Sequence, residues 1–102
     1  MTAHFFSLSR DGDGTVIAIS GAFDAETVFD LRGQPAMRDV APGTRVIVDL
    51  SATDFMDSSG VGFLVSLSRR GQREGWTLEI VGAAGQSQRL LQRIGWPTTL
   101  AS

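Results

Sequence analysis

Cysteine is absent from the 102-residue chain, and histidine occurs once, as His4. The first absence excludes disulfide staples, thiol nucleophiles and zinc–thiolate sites together. The second excludes a histidine metal cluster, so neither a metal nor any other cofactor is expected. It also removes a Ser-His-Asp triad, because His4 lies in an N-terminal stretch expected to fray and would have to be oriented beside a distant serine. Long apolar runs are missing too. None approaches the roughly 18 residues of a membrane span, so no membrane insertion is expected. The opening MTAHFFSLSR shows no basic leader followed by an apolar stretch, and the expected location is cytoplasmic. Basic excess is lacking as well: nine Lys and Arg stand against eleven Asp and Glu, which argues against direct nucleic-acid binding. Nor does any GxxxxGK[ST] run mark a phosphate-binding loop.

What is present is enough for one domain over residues 1–102, with 42% hydrophobic residues and several changes of hydrophobic period. Phe5, Phe6 and Leu8, then Thr15 to Ser20, read as two strands joined by the turn Asp11-Gly12-Asp13-Gly14, with Gly21 ending the second. Asp24 caps a helix that presents Val28 and Leu31 to a core and runs to about Arg32. Gly33 and Pro35 then force a break or a short second turn, since Pro35 would clash with the carbonyl four residues earlier. Arg45 to Leu50 reads as a strand buried on both faces, because Val46, Ile47 and Val48 do not alternate with polar residues. After a loop, Ser58 to about Arg70 reads as a helix stopped by Gly71. A strand over Trp76–Val81 and a helix over Gln86–Ile94 follow, the latter stopped by Gly95 and Pro97. Strand, helix, strand, helix after a hairpin predicts an α/β fold: a mixed β-sheet of four to five strands with α-helices packed mainly on one face. Ile17, Ile19, Val46, Ile47, Val48, Leu64, Val65, Leu78 and Ile80 are the expected core.

Three features carry candidate chemistry, each beside a plainer reading. Asp54 and Asp57 have the chemistry to bind a hard cation, but Asp at this spacing is more often a turn or cap residue. Arg69, Arg70 and Arg73 form the one basic cluster, which suits either the negative end of a helix or an anionic partner. The run Asp49-Leu50-Ser51-Ala52-Thr53-Asp54-Phe55-Met56-Asp57-Ser58-Ser59-Gly60-Val61-Gly62 brings two adjacent hydroxyls to a helix N-terminus, where unpaired N–H groups favour a phosphate. Asp57 or Ser58 is equally suited to cap that helix, and capping and modification are compatible. Gly60-Val61-Gly62 is too short for a nucleotide fingerprint. On a helical wheel Val61, Phe63, Leu64, Val65 and Leu67 cover about 200°, wider than the roughly 100° stripe that packing one face requires. Ser58 and Gly62 lie opposite, with Ser59 beside them and Phe63 at the edge of the apolar arc. This pattern fits a contact surface or a deeply buried helix.

The segments Asp49-Leu50-Ser51 and Phe55-Met56-Asp57-Ser58-Ser59-Gly60-Val61-Gly62 closely resemble the signature of STAS domains, and in particular of bacterial anti-sigma factor antagonists. Gly21-Ala22-Phe23-Asp24 resembles that family's Gly-Glu-Leu-Asp segment, with Ala22 in place of the usual glutamate. Trp76 to Gly95 resembles its following strand and helix, so the likeness covers about Thr15 to Gly95. The resemblance implies a partner-switching module rather than an enzyme. Its partner would be an anti-sigma factor with serine kinase activity, bound while the matching serine, Ser58, is unphosphorylated, so that sigma is released. A phosphatase would reset the system. Ser58, rather than Ser59, is the phosphorylation site so implied, and Asp24, Asp57, Ser59, Gly60, Gly62 and Phe63 are the expected partner-binding residues. The kinase must be another chain, because no ATP-binding element is present here. A second STAS class is also similar: the small cytoplasmic subunit of a lipid-transporting ABC complex, which is comparably short and shares the Trp96-Pro97 pair. It typically carries threonine and alanine where Ser58 and Ser59 stand.

Overall fold

The computed structural model describes residues 4–12 and 14–96. Among them run β1 (His4–Asp11), β2 (Gly14–Phe23), α1 (Ala25–Arg32), α2 (Pro35–Arg38), β3 (Arg45–Met56), α3 (Ser58–Glu74), β4 (Thr77–Val81) and α4 (Gly85–Arg93). The four strands form one sheet in the order β1-β2-β3-β4. The first pair is antiparallel, from His4 opposite Gly21 to Asp11 opposite Gly14. The β2–β3 and β3–β4 pairs are parallel, with Ile17 beside Val48 and Val48 beside Ile80. The mixed α/β sheet expected from the sequence is therefore present, and His4 begins a strand instead of fraying.

One sheet face carries the core. Ile17, Ile19, Val46, Val48, Leu50 and Ile80 are buried there against Val28, Leu31, Phe63, Leu64, Leu67 and Leu91 from the helices. Because side chains alternate across a strand, Val16, Ala18, Ile47 and Glu79 point the other way, and none of the four is buried. Ile47 is accordingly half-buried, not a core residue, and Arg45 and Glu79 meet beside it in a half-exposed ion pair at 3.1 Å. The unbroken Val46-Ile47-Val48 run is thus a one-sided strand. Val65 and Leu78 are likewise only half-buried.

Three boundaries differ from the sequence reading, each for a nonlocal reason. Gly21 does not end β2. It takes a φ of 76° at a register shift, and the strand continues to Phe23. Ser51–Met56, expected as a loop, extends β3, which needs twelve residues to follow the ten of β2 because two register shifts intervene. The Thr53 hydroxyl donates to the Ile19 carbonyl at 2.8 Å, across one of these shifts. At the strand end the Gln86 side-chain amide grips the Met56 backbone on both sides, accepting from its N–H at 2.9 Å and donating to its carbonyl at 2.7 Å. Finally, Gly71 is inside α3. A Cβ there would lie 2.6 Å from the Trp76 carbonyl oxygen, so it is the residue that lets Trp76 fold back on the helix. The stop is Gly75, at a φ of 84°.

Of the basic cluster, Arg70 is a structural clamp. Its guanidinium donates to the Met37 and Arg38 carbonyls at the end of α2, pairs with Glu74 at 3.2 Å and lies over the Trp76 ring. Planar, multidentate donation of this kind is what arginine offers and lysine does not.

Candidate functional site

Parallel strands β2 and β3 end side by side, Phe23 opposite Met56, and each hands over to an aspartate that caps a helix. Asp24 caps α1 through its carboxylate, which accepts from the Thr27 N–H at 3.2 Å. Thr27 is fully buried and its hydroxyl donates to the Ala22 carbonyl at 2.9 Å, which fixes the strand-to-helix corner. Asp57 caps α3, accepting from the N–H groups of Ser59 at 2.9 Å and Gly60 at 3.2 Å. The Asp57 N–H in turn donates to the Phe23 carbonyl at 3.3 Å, which joins the two caps. Each cap of this type stabilises its helix by about 1 kcal/mol. Asp54 is exposed at the end of β3. Among the described residues no group of three or more His, Asp or Glu side chains is arranged to hold a metal.

The capping geometry revises one expectation. Three N–H groups at the start of α3 are already taken, since Asp57 holds those of Ser59 and Gly60 and the Val61 N–H donates to the Asp57 carbonyl at 3.1 Å, so the helix end offers a phosphate less than its sequence suggests. Ser58 occupies the first helical position and is exposed, and its hydroxyl makes no hydrogen bond among the described residues. Ser59 is half-buried and faces α1.

The expected contact residues separate into two groups. Gly62 is bare: a Cβ there would meet nothing within 4 Å. Gly60, by contrast, is buried, and a Cβ there would sit 2.7 Å from the Phe23 carbonyl oxygen. Phe63, read as an edge residue, is 4% exposed and packs edge-to-face on Phe23, with ring centroids 6.0 Å apart. Gly60 and Phe63 therefore seat α3 on the sheet, while Ser58, Ser59 and Gly62 reach the surface. The sequence reading missed Phe29, on α1, which is 79% exposed beside a groove of about 450 Å³ between α1 and α3. Its signal was available: with Val28 and Leu31 facing the core, the helical turn of about 100° per residue places Phe29 off the buried face.

The family model described as Mlab, STAS domain, matches residues 6–101. The chain belongs to the STAS-domain family. Comparison with curated proteins finds no significant match. Among solved structures, an anti-sigma factor antagonist from Mycobacterium paratuberculosis superposes with a TM-score of 0.76 at 22% identity, over 97% of this chain and 84% of that one. Bacillus SpoIIAA, a cell fate determinant in its phosphorylated form, gives 0.70 at 23% identity, over 90% and 85%. A sulfate transporter family protein from Wolinella succinogenes gives 0.68 at 19% identity, over 84% and 70%. At these identities the likeness is one of fold.

Proposed function

We propose that this chain is an anti-sigma factor antagonist, a non-enzymatic partner-switching module controlled by phosphorylation of Ser58. Unphosphorylated, it binds an anti-sigma factor that is also a serine kinase, and sigma is released. The kinase modifies Ser58, the complex parts, and a phosphatase restores the binding form. The observation that carries this reading is the position of Ser58: exposed, at the first residue of α3, with its hydroxyl free among the described residues and the neighbouring Ser59 facing a groove. Asp24, half-buried at the adjoining cap, is a proposed partner contact.

Electrostatics gives the switch its size. A phosphate adds about 1.5–2 negative charges. With Asp57 holding two first-turn N–H groups, the phosphate gains little from the helix end and faces a carboxylate instead. Because Ser58 is exposed, that charge stays solvated and the fold persists. A partner seated over Ser58 would have to desolvate it, at a cost of several kcal/mol without cationic partners. A loss of about 3 kcal/mol weakens binding more than a hundredfold.

The test is phosphosite mapping by mass spectrometry after incubation with the cognate kinase and ATP, alongside affinity measurements on variants. Ser58→Ala should bind the partner and resist phosphorylation, and Ser58→Asp should bind poorly. Phosphate on Ser59 alone, or on neither serine, overturns the assignment. A second reading, the STAS subunit of a lipid-transporting ABC complex, rests on Trp96. Its side chain packs against the core and its N–H donates to the Leu91 carbonyl at 3.0 Å; Pro97, the other half of that pair, lies outside the described residues. Capture of an ABC ATPase instead of a histidine-kinase-like ATPase would favour it.

A further inference from the structure

Two depressions adjoin between α3 and the α1–α2 pair. The first, the groove of about 450 Å³, is floored by Val28, Gly62 and Phe63 and rimmed by Phe29 and Arg32. The second, of about 120 Å³, is lined by Arg32, Arg38, Ser66 and Arg70 over Met37 and Leu67. They share Arg32 and Phe63 and so form one trough. On α3 the trough residues Ser59, Gly62, Ser66 and Arg70 recur every three or four positions, one face of the helix. At 1.5 Å per residue this face is roughly 16 Å long.

The chemistry changes along that length. The end nearest Ser58 is apolar, with the largely exposed Phe29 and the bare Gly62 backbone lining the same groove. The other end is cationic. Arg32 sits 5.9 Å above the Phe63 ring, Arg38 closes α2, and Arg70 is fixed between them through the α2 carbonyls. Among the described residues neither Arg32 nor Arg38 pairs with a carboxylate, although the whole chain carries a net charge of −2. Both walls are helices whose backbone groups are already bonded internally, so an added β-strand would find no ladder partners. A helix lying in the trough needs none.

We propose that the trough receives an acidic amphipathic helix of the partner, with an apolar side chain seated against Phe29 and Gly62 and carboxylates reaching Arg32 and Arg38. This rests on the proposed function in taking the occupant to be the partner that covers Ser58. It also gives the switch a second element, since a phosphate at the apolar end repels an acidic helix already held close beside it.

The experiment selects helix-forming displayed peptides of about 15 residues, enough to span the trough, against the full chain. Selected sequences should combine a Leu or Phe anchor with Asp or Glu one to two turns away. With a synthetic peptide of the winning sequence, amide shifts should map to Phe29, Ser59 to Arg70 and α2. The Arg32→Glu/Arg38→Glu variant should weaken the peptide about tenfold or more, Phe29→Ser should weaken it too, and exchanging the peptide's carboxylates for lysines should restore binding to the charge-reversed variant. Circular dichroism of each variant confirms that it is folded. Neutral or basic winners, shifts elsewhere, affinity indifferent to the charge reversal, or no binding sequence at all would overturn the proposal. The Ser58→Asp protein separates the two ideas. If it binds the peptide as tightly as the native chain while charge reversal abolishes binding, the trough stands and the switch falls.

Discussion

Gly60 and Gly62 sit two residues apart on α3, and the same substitution at each should act with opposite sign. At Gly62 an alanine methyl meets nothing within 4 Å. Alanine is favoured over glycine in a helix by about 1 kcal/mol, so Gly62→Ala should stabilise by roughly 0.5–1 kcal/mol. At Gly60 the methyl carbon would stand 2.7 Å from the Phe23 carbonyl oxygen and 2.8 Å from Met56 Cγ, where ordinary contact begins at 3.4 Å. The oxygen belongs to the β2 backbone and accepts the Asp57 N–H, so it is tied on both sides. Relief means sliding α3 off the sheet at its first turn. Overpacking of this kind costs about 1–3 kcal/mol, and stretching the Asp57–Phe23 bond adds about 1 kcal/mol. Set against the helix gain, Gly60→Ala should lose about 1–3 kcal/mol. Urea unfolding followed by circular dichroism resolves both, and thermal midpoints should move about 4–8 °C for each kcal/mol. A Gly60→Ala protein as stable as the native chain, or a Gly62→Ala protein less stable, refutes the seating of α3 described above.

Two further outcomes follow from the sheet and from α3. Leu50→Ala should cost about 2–5 kcal/mol and Ile47→Ala only about 1 kcal/mol, since Leu50 is 1% exposed on the helix-covered face and Ile47 is half-buried on the open one; equal urea midpoints would mean that both faces are covered. The Glu74 carboxyl is held below its ordinary value of 4.5, chiefly by the hydrogen bond from Arg70, with the Trp76 indole N–H contributing. A depressed carboxylate stabilises the fold above its unfolded pKa and loses that contribution as pH falls through the folded one, so this part should fade only below the ordinary glutamate range. A carbon-detected NMR titration should show Glu74 with a depressed midpoint that rises in Arg70→Gln; an ordinary midpoint in the native chain contradicts the pairing.

What the sequence revealed and what it hid differ in range. Asp24 and Asp57 signal helix starts through bonds made within three residues and Pro35 through its fixed φ at the first helical position, and all three were legible. Gly71 and Gly75 are both glycines near the end of a helix. Only contact with Trp76 makes the first a packing residue and the second the stop. Ser51 to Met56 is polar enough to look like a loop, and it becomes strand because Thr53 reaches Ile19 and Gln86 reaches Met56, partners 34 and 30 residues away. Ile47 and Val48 look alike in sequence, since nothing local says which face the helices cover. At the candidate site the serines and glycines were visible as a motif. The division of Gly60 and Phe63 from Gly62 depends on the crossing of α3 over Phe23, which no spacing encodes.

The strand order β1-β2-β3-β4 is also the order of synthesis. Every strand joins the one made just before it, so the sheet grows outward from the N-terminal hairpin without waiting for a later segment to insert between earlier ones. The β1–β2 turn is short, and each later pairing closes only across its own crossover helices, without spanning another strand, so the entropic cost of each closure is modest. In this scheme the far edge of each strand waits for the next, and β3 is the last to wait. Its far edge stays open from the moment it pairs with β2 until β4 covers Arg45–Asp49 and Gln86 closes on Met56. A chain whose β3 has paired with β2 before β4 has docked would therefore present an unpaired Val- and Ile-bearing edge, the kind of surface that invites aggregation.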